Sequence, residues 1–209
     1  MHLSLIAMTS TAARRMLGHA LVLAGLWCGV SASASAQKVV EGVRFEPRVS
    51  VQGQSLSLNG AGLRAMMIVR VYAAGLYLPQ PASTADAVLA SPGPKRVRIV
   101  MLRKVSGERL ADNLVTGIRD TTRASAEQAA LAARVETLRA TMLQLGEARK
   151  GDEITLDYVP DAGTRISLGG RVVAADIPGE DFFRALLRIW VSKDAADQGL
   201  RNELLGKPA

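Results

Sequence analysis

Residues 58–78 read LNGAGLRAMMIVRVYAAGLYL. A Gly-Ala-Gly turn, Arg64 and two tyrosines, Tyr72 and Tyr77, are set into an apolar run that ends at Pro79. Small, β-branched and aromatic residues in series suit a strand packed into a core, and a few polar side chains within such a strand give a ligand cavity its orienting groups. The stretch therefore reads as a core strand that carries polar groups into a cavity. Pro79, which cannot donate to a sheet ladder, stops it.

The flanking segments supply the scaffold. Residues 38–58 alternate loosely, with Val39, Val43, Phe45, Val49 and Val51 between polar residues, which predicts two short strands joined near Pro47 or by a turn at Gly53. Four prolines between Pro79 and Pro94 predict loop, with one short helix over 85–90 capped by Ser83 or Thr84. Residues 95–104 form a strand with apolar residues on both faces, which places it inside the sheet. Ser106 caps a helix marked by Leu110, Leu114, Val115 and Ile118. Ser125, with Gln128 completing a capping box, opens a longer helix striped by Leu131, Val135, Leu138, Met142 and Leu145 and ended by Gly146 or Gly151. From Asp152 a period of two returns, a three-stranded antiparallel meander turning at 160–163 and at Gly169-Gly170. Residues 180–190 and 195–205 are helical, ending at Gly206. Strands, helices, strands, helices in that order give an α+β fold with helices on one face of an antiparallel sheet.

Arg14-Arg15, the uncharged apolar run from Met16 to Val30 and the small residues ending at Ala36 predict a signal peptide over residues 1–36, cleaved after Ala36. The apolar run is too short for a comfortable transmembrane helix. One domain, residues 37–209, then works in the periplasm or outside the cell. His2, His19 and Cys28 all precede the cleavage site, so this domain has neither histidine nor cysteine. That excludes a Cys or His zinc site, a Ser-His-Asp triad, a cysteine nucleophile, haem ligation through His or Cys, and disulfides. No cofactor or metal is expected. Asp152, Glu153, Asp157 and Asp161 lack the glycine and spacing of a calcium loop. The whole chain carries +7, and with Arg14 and Arg15 removed 24 basic residues face 19 acidic ones, a net +5. Scattered as they are, these charges favour an anionic small ligand or lipid head group, and the lack of basic–aromatic interleaving argues against nucleic acid.

GAGLR at 60–64, VYAAGLYLP at 71–79, GDEITLDYVPDAGTRISLGG at 151–170, GEDFFRALLRIW at 179–190 and ELLG at 203–206 together resemble the chalcone isomerase superfamily. More closely, they resemble its secreted bacterial chalcone isomerase-like branch. The resemblance spans nearly the whole chain after Ala36 and implies an open-faced β-sandwich: a large antiparallel sheet, a helical layer on one face, and an apolar cleft between them. In the superfamily's isomerases a helix presents a Tyr, a Lys and an Asn to the substrate. The matching positions here hold Leu110, Asn113 and Gly117, and a strand threonine is replaced by Tyr72. The groups that would stabilise a developing oxyanion are thus replaced, and the resemblance implies a non-catalytic protein.

Fatty-acid-binding members hold a lipid carboxylate with an arginine and a tyrosine that match Arg64 and Tyr72. A guanidinium offers a planar fork of donors to a carboxylate, and a phenol can add a third. The function implied is binding of a fatty acid or similar amphipathic carboxylate, its tail among Met66, Met67, Ile68, Val69, Leu110 and Leu114. The alternative is an isomerase or lyase acting on an enone, with Arg64 as oxyanion donor and Tyr72 as acid. Plainer roles also stand: Arg64 pairing with a carboxylate or loop carbonyls, Tyr72 and Trp190 as core residues, and Arg70, Arg103 and Tyr158 at the cleft or the sheet edge. Geometry adds one condition. On a continuous strand Arg64 and Tyr72 would stand roughly 26 Å apart. Sharing a ligand requires the chain to reverse near Ala65–Ile68, where no Gly, Pro, Asn or Asp favours a turn.

Overall fold

The computed structural model describes residues 37–208, so the expected signal peptide lies outside the described residues. The chain opens with β1 (Lys38–Val40), β2 (Val43–Phe45), β3 (Arg48–Val51), β4 (Gln54–Met66) and β5 (Val69–Leu78). A short helix α1 (Ala85–Ala90), strand β6 (Lys95–Met101) and the two-residue β7 (Val105–Ser106) lead into helices α2 (Gly107–Thr121) and α3 (Ser125–Gln144). Then come β8 (Glu147–Ala148), β9 (Glu153–Val159), β10 (Gly163–Leu168), β11 (Arg171–Val172) and the closing helices α4 (Glu180–Val191) and α5 (Gln198–Leu204). Seven strands form one sheet in the order β11-β10-β9-β6-β5-β4-β3, every neighbouring pair antiparallel. The α+β expectation holds.

Residues 58–78 are not one strand. They contribute most of β4 and all of β5, joined by a two-residue turn at Met67-Ile68. Met67 takes the left-handed conformation (φ 54°) that a glycine or asparagine would adopt with less strain. The reversal is dictated by the two arms, which pair from Ser57–Leu78 to Met66–Val69, and not by the turn residues. Nearer the amino terminus the turn chemistry is conventional. Glu41-Gly42 and Gln52-Gly53 all have positive φ, as tight two-residue hairpins require, so residues 38–58 hold three strands and the start of β4 instead of two strands. At α3 the expected capping box does not form. Ala124 occupies the cap, and the Gln128 amide instead donates to the carbonyls of Thr122 and Arg119.

Period-two alternation sorts the sheet into two faces. Ala74, Leu76 and Leu78 of β5, Val97, Ile99 and Met101 of β6, and Ile154, Leu156 and Tyr158 of β9 meet Phe182, Phe183, Leu186 and Trp190 of α4 in the main core. The opposite face is partly covered: Phe45 of the β1–β2 hairpin packs with Leu56, Ala73 and Tyr77 in a second, smaller cluster. Beyond that cluster the face is charged. Arg96 makes two 2.6 Å bonds to Asp157, Arg98 bridges to Glu153, and Arg165 clasps Asp176. β6 is interior because both edges are paired, yet its apolar residues concentrate on the helical side.

Candidate functional site: an apolar cavity with one polar end

Ser106 accepts the Arg109 N–H and fixes the start of α2. From there Leu110, Asn113, Leu114 and Gly117 recur at intervals of three and four, so one stripe of the helix looks onto a single space. Its floor is the sheet, through Tyr72, Ile99, Ile154 and Leu156; Met142 of α3 and Ile189 and Trp190 of α4 complete the wall. The cavity measures about 230 Å³. Gly117 lets α2 approach α4, since a Cβ there would crowd the Ile189 side chain at 3.0 Å.

The polar end is built by the hairpin. Arg64 on β4 lies directly across from Tyr72 on β5, and cross-strand partners point to the same face with Cβ atoms about 5 Å apart. Just beyond this pair the register slips, Ala65 facing Arg70, so Val71 is an extra, bulged residue. The reversal that a shared ligand required is therefore present.

The Trp190 indole N–H donates to the Tyr72 hydroxyl at 2.9 Å. No described residue accepts the hydroxyl's own proton, so it remains available to a ligand. Burial raises the Tyr72 pKa above the ordinary 10.0, against the smaller opposing effects of the Trp190 bond and the nearby Arg64 charge. The phenol is a proton donor at neutral pH and not a base. Arg64 Nη1 bonds Asp197 Oδ2 at 3.1 Å and the Ala65 carbonyl at 3.2 Å. Asp197 uses its other oxygen to cap α5, accepting the Leu200 N–H at 2.9 Å. Asp120 and Asp194 also border the cavity, and each has an arginine partner, Arg119 and Arg123. The end of the cavity is thus rich in donors but nearly balanced in charge. Among the described residues no group of His, Cys, Asp and Glu is arranged to hold a metal.

Of the residues expected to bind ligand, Arg64, Tyr72, Met66, Leu110 and Leu114 line this cavity. Ile68 does not. It sits at the hairpin tip, 96% exposed, because the chain reverses there instead of running on through the core. Met67 and Val69 share that displacement, and Met66 is itself 58% exposed. Asn113 and Gly117 also line the wall, whereas Arg70, Arg103 and Tyr158 do not. Tyr158 instead stacks near Phe183 beneath the buried Lys95 ammonium. Two residues of the polar end, Trp190 and Asp197, were not legible as such: Trp190 read as core, and Asp197 carries only a local capping signal.

The sequence profile of the chalcone isomerase-like family matches residues 37–206. The chain belongs to the chalcone isomerase-like family. No curated protein matches it. Among solved structures, this family member is similar to the fatty-acid binding protein AtFAP1 of Arabidopsis thaliana. The TM-score is 0.63 at 13% identity, over 81% of this chain and 96% of that one. At such identity the likeness speaks for the fold, a large antiparallel sheet with a helical layer.

Proposed function

We propose that this chalcone isomerase-like protein is an exported carrier that binds a fatty acid or similar amphipathic carboxylate in the cavity between sheet and helices. The observation that carries the reading is the β4–β5 hairpin, which sets Arg64 opposite Tyr72 on the wall of a largely apolar space. The carboxylate takes donors from the guanidinium and the phenol; the chain lies against Leu110, Leu114, Met142 and Ile189. The similarity in fold to a plant fatty-acid binding protein supports the same assignment. Co-purified lipid, extracted from the protein and identified by mass spectrometry, tests it. Lipid-free protein that takes up no added fatty acid would refute it.

Cavity size gives a sharper expectation. About 230 Å³ lies just below the roughly 300 Å³ at which ligand pockets usually begin, so the space fills with a short or medium chain. Each buried methylene contributes about 0.8 kcal/mol, so affinity rises about fourfold per carbon until the cavity is full and then levels off. Calorimetric titration with a series of saturated fatty acids checks this. A monotonic rise through the longest soluble chains contradicts a binding space of this size.

Asp197 competes with the ligand for Arg64. In Asp197→Asn the amide oxygen can still cap α5 while the competing charge is gone. Carboxylate binding is expected to tighten about fivefold, the worth of one partly exposed ion pair near 1 kcal/mol, with binding of the matching fatty alcohol unchanged. Parallel titrations of acid and alcohol read the difference.

A further inference from the structure

The tip of the β4–β5 hairpin is an unusual surface. Met67 and Ile68 are 99% and 96% exposed, and Met66 and Val69 beside them are 58% and 38% exposed. The last pairing of β5 with β6 is Tyr72–Met101, followed only by the Leu102 N–H to the Val71 carbonyl. Residues 65–70 therefore stand clear of a third strand. A two-residue turn in water favours Asn-Gly, in both conformation and solvation. This one spends a left-handed conformation on a methionine and leaves an isoleucine in solvent. The side chains, not the turn, are the purpose of the loop.

We infer that the Met66–Val69 tip inserts into the surface of an anionic lipid bilayer, docking the protein with its cavity mouth at the membrane. Three observations carry this. A two-residue projection is far too small for a stable protein interface, which buries about 800 Å² on each side, but it suits insertion among acyl chains. Cations gather at the same end of the sheet. Arg70 and Arg103 follow from the register at the same end of the sheet, Lys104 comes next, and the Gly151 N–H to the Met101 carbonyl brings Arg149 and Lys150 alongside. Against these five stand Glu41, paired with Arg70, Glu147, paired with Lys104 and Arg149, and Asp152. Glu108 and Arg109 at the start of α2 cancel each other. The excess favours acidic head groups, and Arg103 and Lys150 have no acidic partner among the described residues. Finally, Met66 belongs to both surfaces, lining the cavity and standing half-exposed at the tip.

No helix among the described residues is long and apolar enough to cross a membrane. The inference does not depend on which ligand the cavity holds, and its test reads membrane binding alone. Flotation with vesicles of phosphatidylcholine containing phosphatidylglycerol is expected to carry the protein to the lipid layer at low salt, less so with phosphatidylcholine alone. The double variant Met67→Ser/Ile68→Ser is expected to lower partitioning at least about tenfold, with an unchanged melting temperature and unchanged fatty-acid titration. In Ile68→Trp the new indole is expected to shift to the blue on vesicle addition and to be quenched by lipids brominated in the acyl chain, which separates insertion from adsorption. The inference is overturned by absence of flotation with anionic vesicles, by equal flotation of the double variant, by an unquenched indole in the Ile68→Trp protein, or by a tip-dependent dimer in lipid-free solution.

Discussion

Arg64→Ala is expected to weaken fatty-acid binding about 30- to 100-fold while leaving the fold intact. Hydrogen bonds to a charged group contribute about 1.5–3 kcal/mol each, and a guanidinium can supply two to one carboxylate. Taking the lower end of that range for both bonds, about 3 kcal/mol, with release of Asp197 offsetting up to about 1 kcal/mol, leaves about 2–2.7 kcal/mol, which is the stated loss in affinity. The fold survives because Asp197 is not orphaned. Its second oxygen still caps α5 through the Leu200 N–H, and both partners of the ion pair are about one-fifth exposed. A pair so placed is worth about 1 kcal/mol or less. Calorimetric titration and a thermal melt of the same preparation separate the two effects. A fully retained affinity would remove the polar end from the binding site. Arg64→Lys is expected to recover little, since an ammonium cannot reproduce the two-pronged geometry.

The same pair of strands shows what a sequence can and cannot disclose here. Arg64 and Tyr72 were visible as polar groups in an apolar run, and Leu110 and Leu114 as one stripe of a helix, because spacing along the chain determines which way a side chain points. Local caps were equally legible: Thr84 and Ser106 accept the N–H groups expected of them, and Gly146 ends α3 at φ 70°. The reversal at Met67-Ile68 was not legible as an event, only as a requirement. Nothing in those two residues favours a turn, and the ladder that enforces it is assembled from both arms. Longer-range partnerships were hidden altogether. Arg64 with Asp197 and Tyr72 with Trp190 join residues more than a hundred positions apart, brought together only when α4 and α5 dock on the sheet. Ile68 was misplaced for the same reason. On a continuous strand it would lie in the core, and on a hairpin it is the tip.

Docking of α5 leads to the largest expected loss of stability, that of Gly60→Ala. Asn59 is the extra residue of a bulge between Leu58–Tyr77 and Gly60–Leu76, and its amide reaches the Leu204 carbonyl at 2.7 Å and both backbone groups of Ala82. This fastens the end of α5 against β4 so closely that a Cβ at Gly60 would collide with the carbonyl of Glu203 and meet that of Leu204 at 2.8 Å. Backbone cannot step aside as a side chain can, so the helix must lift. Overpacking alone costs about 1–3 kcal/mol, and lifting α5 also loosens the buried Leu200 and Leu204 and the Asn59 bonds. A total of about 3–5 kcal/mol corresponds to a melting temperature lower by roughly 10 °C for a domain of this size. Gly62 is the internal control. Its added Cβ would collide with the Glu203 carboxylate, which can rotate away at the expense of its bond to the Leu63 N–H. It would also lie 2.8 Å from the Glu203 Cβ, which only a small backbone shift relieves, so Gly62→Ala is expected to cost about 2 kcal/mol, less than the direct backbone collision at Gly60. Thermal melts of the two variants side by side test the difference. Equal losses would mean that α5 is not held by this close approach. A larger loss at Gly60 would also carry Asp197 away from Arg64, so any Gly60→Ala protein that remains folded should bind carboxylates with the competing charge displaced.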